Sequence, residues 1–241
     1  MPASGRATRL PVFTASEAAA GGAAGTRLRR RRRAVPDLPP QEPRAVAAGH
    51  AELVANAGHF TRIVRSGICA ARISVDIMTA DFKAMLVPDE SVISTGRAGR
   101  RAGRRAGRRN DARSIVEVFR ELAARGVEIR LLHAGTPSSA ALRELKQSLP
   151  SNLTIRRCPR LHAKAVIIDA RGLYLGSANL TGAGLGAKAD GRRNFELGVW
   201  TESPALIDAV LEHFNDLWEG HDCKTCKRKD VCPVPLEEPA L

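Results

Sequence analysis

The stretch LHAKAVIIDARGLYLGSANL, residues 161–180, is the most informative part of this 241-residue chain. Two short runs of aliphatic and β-branched residues predict two strands joined by a glycine-containing turn. Polar residues and one glycine stand at fixed spacing around them: His162, Lys164, Asp169, Gly176, Ser177 and Asn179. With residue frequencies of roughly one in fifteen, six specified positions agree by chance about once in 10⁷ starting points. The spacing is therefore a strong signal.

The side chains in this stretch suit a phosphodiester. In a strand, residues i and i+2 share a face, so His162 and Lys164 point the same way. Ser177 and Asn179 share a face of, or just beyond, the neighbouring strand. Lys164 would neutralise non-bridging oxygens and Asn179 would donate to them, while neutral His162 is a competent nucleophile near pH 7. A carboxylate on the other ring nitrogen would fix the tautomer, and Glu196 is the residue we expect there.

The pattern His-x-Lys, four residues, Asp, six residues, Gly-Ser-x-Asn resembles the HKD motif of the phospholipase D superfamily. Asn194-Phe195-Glu196 looks like the downstream acidic position of that family; the alternative for Glu196 is a strand-edge pair with Arg192 or Arg193. The resemblance implies a metal-independent phosphodiesterase with a phosphohistidine intermediate and no catalytic cofactor. It also implies that Asp169, counted with the catalytic group, supports structure more than chemistry. Ser177 is expected to be a hydrogen-bonding group behind the site.

The chain carries half of the double-motif site found in lipid-cleaving phospholipases D. None of the other histidines is followed two residues later by lysine: His50, His59, His133, His213 and His221. The inference is a two-fold homodimer in which each His162 faces its twin as nucleophile or as acid.

Hydrophobic periodicity predicts the surrounding fold. Ile115, Val118, Phe119 and Leu122 mark an amphipathic helix beginning near Asn110 or Asp111. Further helices are predicted at 43–58, around Leu142–Leu149, and from Ser203 to about Gly220, and strands at 72–78, 127–133, 153–157, 161–169, 172–179 and 195–201. This order predicts an α/β fold, a phospholipase D-like mixed sheet flanked by helices, over residues 43–220.

The net charge of +13 lies outside the body of the chain. Residues 1–50 carry nine arginines and a net +6, and residues 97–109 carry seven arginines and no acid. Their Ala, Gly and Pro composition predicts a disordered extension at 1–42 and an arginine-rich loop at 97–109. These arms, Arg104 and Arg105 included, would bind nucleic-acid phosphates, although anionic lipid would attract them too. The alternative is a composition-biased extension and a slipped repeat without a function.

Five cysteines predict a reducing, cytoplasmic setting, and no apolar run approaches the ~20 residues of a membrane span. Cys223, Cys226 and Cys232 in the tail 221–241 have metal-ligand spacing, with Cys158 or His221 as the fourth ligand. They predict a structural zinc or iron–sulfur cluster. The alternative is a polar tail with unligated thiols. Cys69 is expected to be a small buried hydrophobe.

Three functions therefore remain open at this point. The first is a phosphodiesterase acting on nucleic acid, with weak sequence preference because aromatic residues make up only 4% of the chain. The second keeps the chemistry and takes a phospholipid, which requires an apolar mouth near the site. The third is a catalytically inactive nucleic-acid-binding subunit of a defence or repair complex.

Overall fold

The computed structural model describes residues 50–88, 112–147 and 149–232. The predicted extension 1–42 and the arginine-rich loop 97–109, with Arg104 and Arg105, lie outside these residues. The described strands are β1 (Ala51–Ala55), β2 (Ser74–Thr79), β3 (Leu86–Pro88), β4 (Ala112–Ser114), β5 (Glu128–His133), β6 (Leu153–Arg157), β7 (Ala165–Ile168), β8 (Gly172–Gly176) and β9 (Leu197–Thr201). The α-helices are α1 (Ile115–Ala124), α2 (Ser139–Gln147) and α3 (Pro204–Glu219).

Seven strands form one mixed sheet in the order β1-β9-β8-β7-β2-β5-β6. Strands β2, β5 and β6 are parallel and are connected through α1 and α2, as two consecutive crossover units. Strands β7, β8, β9 and β1 continue the sheet in antiparallel order. Strands β3 and β4 form a separate two-stranded sheet. The predicted mixed sheet is confirmed.

Side chains alternate between the two faces of a sheet. In the central strands the side chains on both faces are buried. Val75 and Ile77 belong to the larger core, together with the apolar sides of α1 and α2. Met78 points to the smaller core, where Phe214 and Trp218 of α3 pack. Helices therefore cover the sheet on both sides, which is the predicted class of architecture.

A buried ion pair links the sheet to α3. Asp76 and Arg130 are register partners on β2 and β5, and Arg130 Nε donates to Asp76 Oδ1 at 2.6 Å. The same guanidinium donates to Asn215 Oδ1 at 3.0 Å and lies 4.7 Å from the ring centroid of Phe214. The Asp76 side chain is only 5% exposed, and through Arg130 the pair connects β2 and β5 to α3.

Two sequence predictions about element boundaries are wrong. Residues 51–55, predicted as part of a helix, form edge strand β1 paired with β9, followed by a π-helical segment at Phe60–Arg65. Alanine-rich composition favours a helix, but pairing with a strand about 145 residues later overrides this weak preference. Helix α1 begins after Ser114, whose side chain accepts from the backbone N–H of Glu117 at 3.0 Å, and not near Asp111.

The other helices agree with the prediction. Helix α2 covers Leu142 and Leu145, and α3 begins after Ser203 and ends at Gly220, whose φ of 75° requires the left-handed conformation that glycine adopts easily. Among the described residues, no helix is both long and apolar enough to cross a membrane.

Candidate active site

Polar side chains gather where the parallel strands end. Strands β2 and β5 end at this edge, β7 begins there, and the β8–β9 pair meets it between Gly176 and Gly198. Segments just outside the carboxyl ends of parallel strands are where open α/β sheets bind ligands. The segments at this edge carry Asp81, His162, Lys164, Ser177, Asn179 and Glu196.

His162 and Lys164 lie in an extended segment directly before β7, which is shorter than predicted and begins at Ala165. Lys164 Nζ lies 3.2 Å from His162 Nε2 and donates to the backbone carbonyl of His162 at 2.7 Å. An ammonium has no acceptor, so its contact with the ring is a hydrogen bond in the tautomer of His162 whose Nε2 accepts. The predicted shared direction of the two side chains is present in the structure, and His162 is exposed to solvent.

Two carboxylates act on the Lys164 ammonium. Partial burial lowers the pKa of Lys164, while Glu196 and Asp81 oppose this effect by raising it. Asp81 follows β2, and its carboxylate also lies 3.6 Å from the ammonium of Lys83. The sequence analysis missed Asp81. Its position two residues beyond a buried strand, at the carboxyl edge of the sheet, is the signal that would have found it.

Glu196 contacts Ser177 and Asn194 and does not hold His162. The Ser177 hydroxyl donates to Glu196 Oε2, and Asn194 Nδ2 donates to Oε1 at 3.0 Å. Within the described residues, no hydrogen bond joins Glu196 to the His162 ring. The alternative pairing of Glu196 with an arginine is also absent there, because Arg193 pairs with Asp190.

Ser177 lies beside Glu196 because Gly176 allows β8 and β9 to approach closely at this point. A Cβ at Gly176 would lie 2.3 Å from the Tyr174 hydroxyl and 2.8 Å from the Cα of Gly198, so only glycine fits. The close approach lets the Leu197 N–H donate to Ser177 Oγ at 3.1 Å. Ser177 is itself exposed to solvent, and its role as a hydrogen-bonding group behind the site stays a prediction.

Hydrogen bonds to the amide oxygen hold the side chain of Asn179 in place. Its Oδ1 accepts from the backbone N–H groups of Ala80 and Asp81, each at 3.1 Å. No described residue accepts a hydrogen bond from Asn179 Nδ2. The NH₂ end is therefore the part of the side chain left to donate to a ligand.

Asp169 does not join this group. It lies at the turn between β7 and β8, at the opposite end of β7 from Lys164. Its carboxylate accepts from the backbone N–H groups of Arg72, Ile73 (2.7 Å) and Ser74 (3.0 Å), and thereby secures the start of β2. This position fits the supporting role that the resemblance implies for Asp169, and its place among the catalytic residues stays a prediction.

Asp169→Ala should lower stability and spare chemistry. Three backbone donors would lose their acceptor, and alanine tolerates the positive φ of 53° poorly, so we expect a loss of about 2–3 kcal/mol in the free energy of unfolding. Asp169→Asn should lose less, because asparagine keeps an acceptor and adopts this conformation. Denaturant melts measure the loss. A folded Asp169→Asn variant with a turnover number reduced as strongly as that of a His162 variant would contradict the structural assignment.

The four cysteines predicted as metal ligands line one small cavity of about 20 Å³: Cys158, Cys223, Cys226 and Cys232. Burial raises the pKa of the Cys223 thiol, and the other three thiols raise it further. Cys69 packs against the larger core, as predicted. His221, the alternative fourth ligand, does not line this cavity, and its Nδ1 lies 3.0 Å from Asp216 Oδ1.

Residues 110–218 match the sequence model of a family described as cardiolipin synthase, phospholipase D-like domain. That segment contains the strands and helices from β4 to α3 and every polar position of the motif. Residues 110–218 therefore form a phospholipase D-like domain. No curated protein matches the chain significantly.

Similar solved structures include Nuc from Salmonella typhimurium, described as a phospholipase D family member. It has 21% identity and a TM-score of 0.49, and the match covers 71% of this chain and 95% of that one. NucT from Helicobacter pylori has 15% identity and a TM-score of 0.48, over 71% and 97% of the two chains. TrmBL2, an archaeal chromatin protein described as showing a novel mode of DNA binding, has 14% identity and a TM-score of 0.40, over 72% and 53%.

Proposed function

We propose that this protein is a phosphodiesterase that cleaves nucleic acid through a phosphohistidine on His162. The contact between the Lys164 ammonium and His162 Nε2 at 3.2 Å carries the proposal. It brings the imidazole and the ammonium to one place, where the ring can attack phosphorus while the ammonium neutralises the phosphate oxygens.

The reaction follows from these positions. Nε2 of His162 attacks phosphorus and forms an N–P bond as the P–O bond to the leaving group breaks. Lys164 and the NH₂ end of Asn179 stabilise the charge on the non-bridging oxygens. A second imidazole gives its proton to the leaving oxygen. That imidazole then takes a proton from water, which attacks phosphorus, breaks the N–P bond and frees His162.

The second imidazole comes from a second copy of the chain. No other histidine in the sequence has a lysine two residues later, so one chain holds one half-site. Two copies related by a two-fold axis would set one His162 opposite the other, in the roles of nucleophile and acid.

An exposed apolar surface beside the site fits this second copy. Leu53 of β1 and Val199 of β9 are register partners and share a face, which Leu197 and Phe195 extend towards Glu196. Their exposed fractions are 69% for Leu53, 37% for Val199, 57% for Leu197 and 97% for Phe195. Contiguous exposed apolar groups of this kind mark interaction sites. We call these four residues the apolar face.

Nucleic acid is the favoured substrate because the entire net charge of +13 resides in two arginine-rich segments outside the neutral body of the chain. Such segments bind phosphate backbones without reading sequence. The second candidate is a phospholipid. It is kept because the apolar face provides the apolar mouth that this substrate requires.

A parallel substrate assay separates the candidates. The purified full chain would be incubated, in chelator-containing buffer, with plasmid, RNA oligomers, and vesicles of phosphatidylcholine or cardiolipin. We expect cleavage of nucleic acid that His162→Ala abolishes, and little headgroup release. Faster release of headgroup than of nucleotide would favour the lipid. Nucleic-acid binding without turnover on any substrate would favour the inactive binding subunit.

A further inference from the structure

Three segments bring four cysteines together at the surface beside the site. Cys158 follows β6, Cys223 lies in a 3₁₀ turn after α3, and Cys226 and Cys232 lie in the segment beyond it. All four line the same cavity. The phosphodiesterase chemistry does not use these thiols, although Cys158 also packs against the smaller core. Within the described residues none of the four takes part in a disulfide.

The backbone around Cys223 and Cys226 has the form of a metal-binding turn. The N–H of Cys223 donates to the Gly220 carbonyl at 2.9 Å, and the N–H of Cys226 donates to the Cys223 carbonyl at 3.2 Å. The N–H of Arg228 donates to Cys226 Sγ at 3.4 Å. A backbone donor on sulfur stabilises the thiolate, which is the form of cysteine that binds metal.

The charge around the cavity suits a tetrathiolate centre. Four thiolates around one divalent cation leave a net charge of about −2. The same cavity is lined by the basic side chains of Arg160, Arg228 and Lys229, which would neutralise it.

The narrow space that all four cysteines share suits a single ion. A space of about 20 Å³ holds roughly one water-sized body. As the side chains stand, no three His, Cys, Asp or Glu groups of the described residues form a metal-binding set. Binding of an ion would therefore require the cysteine side chains to change rotamer about χ1.

We propose that Cys158, Cys223, Cys226 and Cys232 bind one structural zinc ion. The ion would fasten the segment after α3 to the turn Cys158–Leu161, which immediately precedes His162. That turn is already held by a hydrogen bond from the Leu161 N–H to the Cys158 carbonyl at 2.9 Å. Arg228 Nη1 also donates to the Pro159 carbonyl at 3.2 Å, so both segments are in contact around the site.

Elemental analysis of the full chain purified without added metal or chelator tests the proposal. We expect about one zinc per chain, displaced by a thiol-reactive mercurial, and intense sulfur-to-cobalt charge-transfer absorption after replacement by Co²⁺. Prolonged chelation should lower the melting temperature by about 5 °C or more, and added zinc should restore it. These readings are independent of phosphodiesterase activity.

Two ligand variants and two control variants test the proposed set of zinc ligands. Cys158→Ser and Cys226→Ser should lose most of the zinc, whereas Cys69→Ser and His221→Ala should retain it. If a cysteine variant fails to fold, the cobalt spectrum of the wild-type chain still counts four sulfur ligands. Three results would overturn the proposal. The first is zinc that Cys158→Ser retains and His221→Ala loses. The others are iron with acid-labile sulfide in place of zinc, and a metal-free chain whose melting temperature does not change on chelation.

Discussion

His162→Ala is expected to lower the rate of phosphodiester cleavage by about 10³-fold or more. The substitution removes the atom that bonds to phosphorus, and in a dimer it removes the general acid as well. Lys164→Ala should cost a similar factor, because the ammonium that contacts Nε2 at 3.2 Å also neutralises the phosphate oxygens. Initial rates on the best substrate of the parallel assay, under single-turnover conditions, measure both losses.

The double variant His162→Ala, Lys164→Ala should lose little more than either single variant. Residues that act as one unit are strongly non-additive. The control is His50→Ala, which changes an exposed histidine whose backbone carbonyl, and not its ring, accepts from Thr201. Its rate should be unchanged. Undiminished cleavage by a folded His162→Ala protein would mean that another site or a contaminant performs the reaction.

A charge placed on the apolar face is expected to separate the two copies and reduce turnover as severely as loss of His162. The single variants Leu53→Glu and Val199→Glu each put one carboxylate on this register pair of β1 and β9, where its burial against a second copy would be costly. The variant proteins should then be monomers in solution. Light scattering after size exclusion, combined with rates over a range of protein concentrations, measures both effects.

Ile73→Glu is the matched control for the apolar face. Ile73 is 62% exposed and lies at the start of β2, at the end of the sheet where Asp169 binds the backbone, away from the site. This variant should remain dimeric and active. A monomeric Leu53→Glu protein with full turnover would show that one chain completes its own active site. A dimeric Leu53→Glu protein would place the interface elsewhere.

The local chemistry of the site was accessible from the sequence because it depends on spacing along two neighbouring strands. The i, i+2 relation predicted that His162 lies beside Lys164, and the order of the strands brought Ser177, Asn179 and Glu196 to the same edge of the sheet. The fold class followed from hydrophobic periodicity in the same way. The structural position of Asp169 followed from the resemblance to a family, and the residues alone did not distinguish it from a catalytic carboxylate.

The parts that the sequence did not predict depend on contacts between distant residues. The β1 segment AELVA has no local property that separates an edge strand from a helix; its state is decided by pairing with β9. Asp81 influences Lys164 only because β2 and β7 are neighbours in the sheet. The carboxylate of Glu196 could face either His162 or Ser177, and the close approach at Gly176 favours Ser177.

Trapping the covalent intermediate tests the central claim most directly. The full chain would be mixed with a nucleic acid carrying labelled phosphate, quenched in alkaline denaturant, where phosphohistidine survives, and analysed by denaturing gel and by mass spectrometry of the tryptic peptides. We predict a labelled adduct that forms and decays at the rate of turnover, maps to His162, and is absent from His162→Ala. Wild-type protein that cleaves the substrate without any such adduct, or an adduct on another residue, would contradict the account.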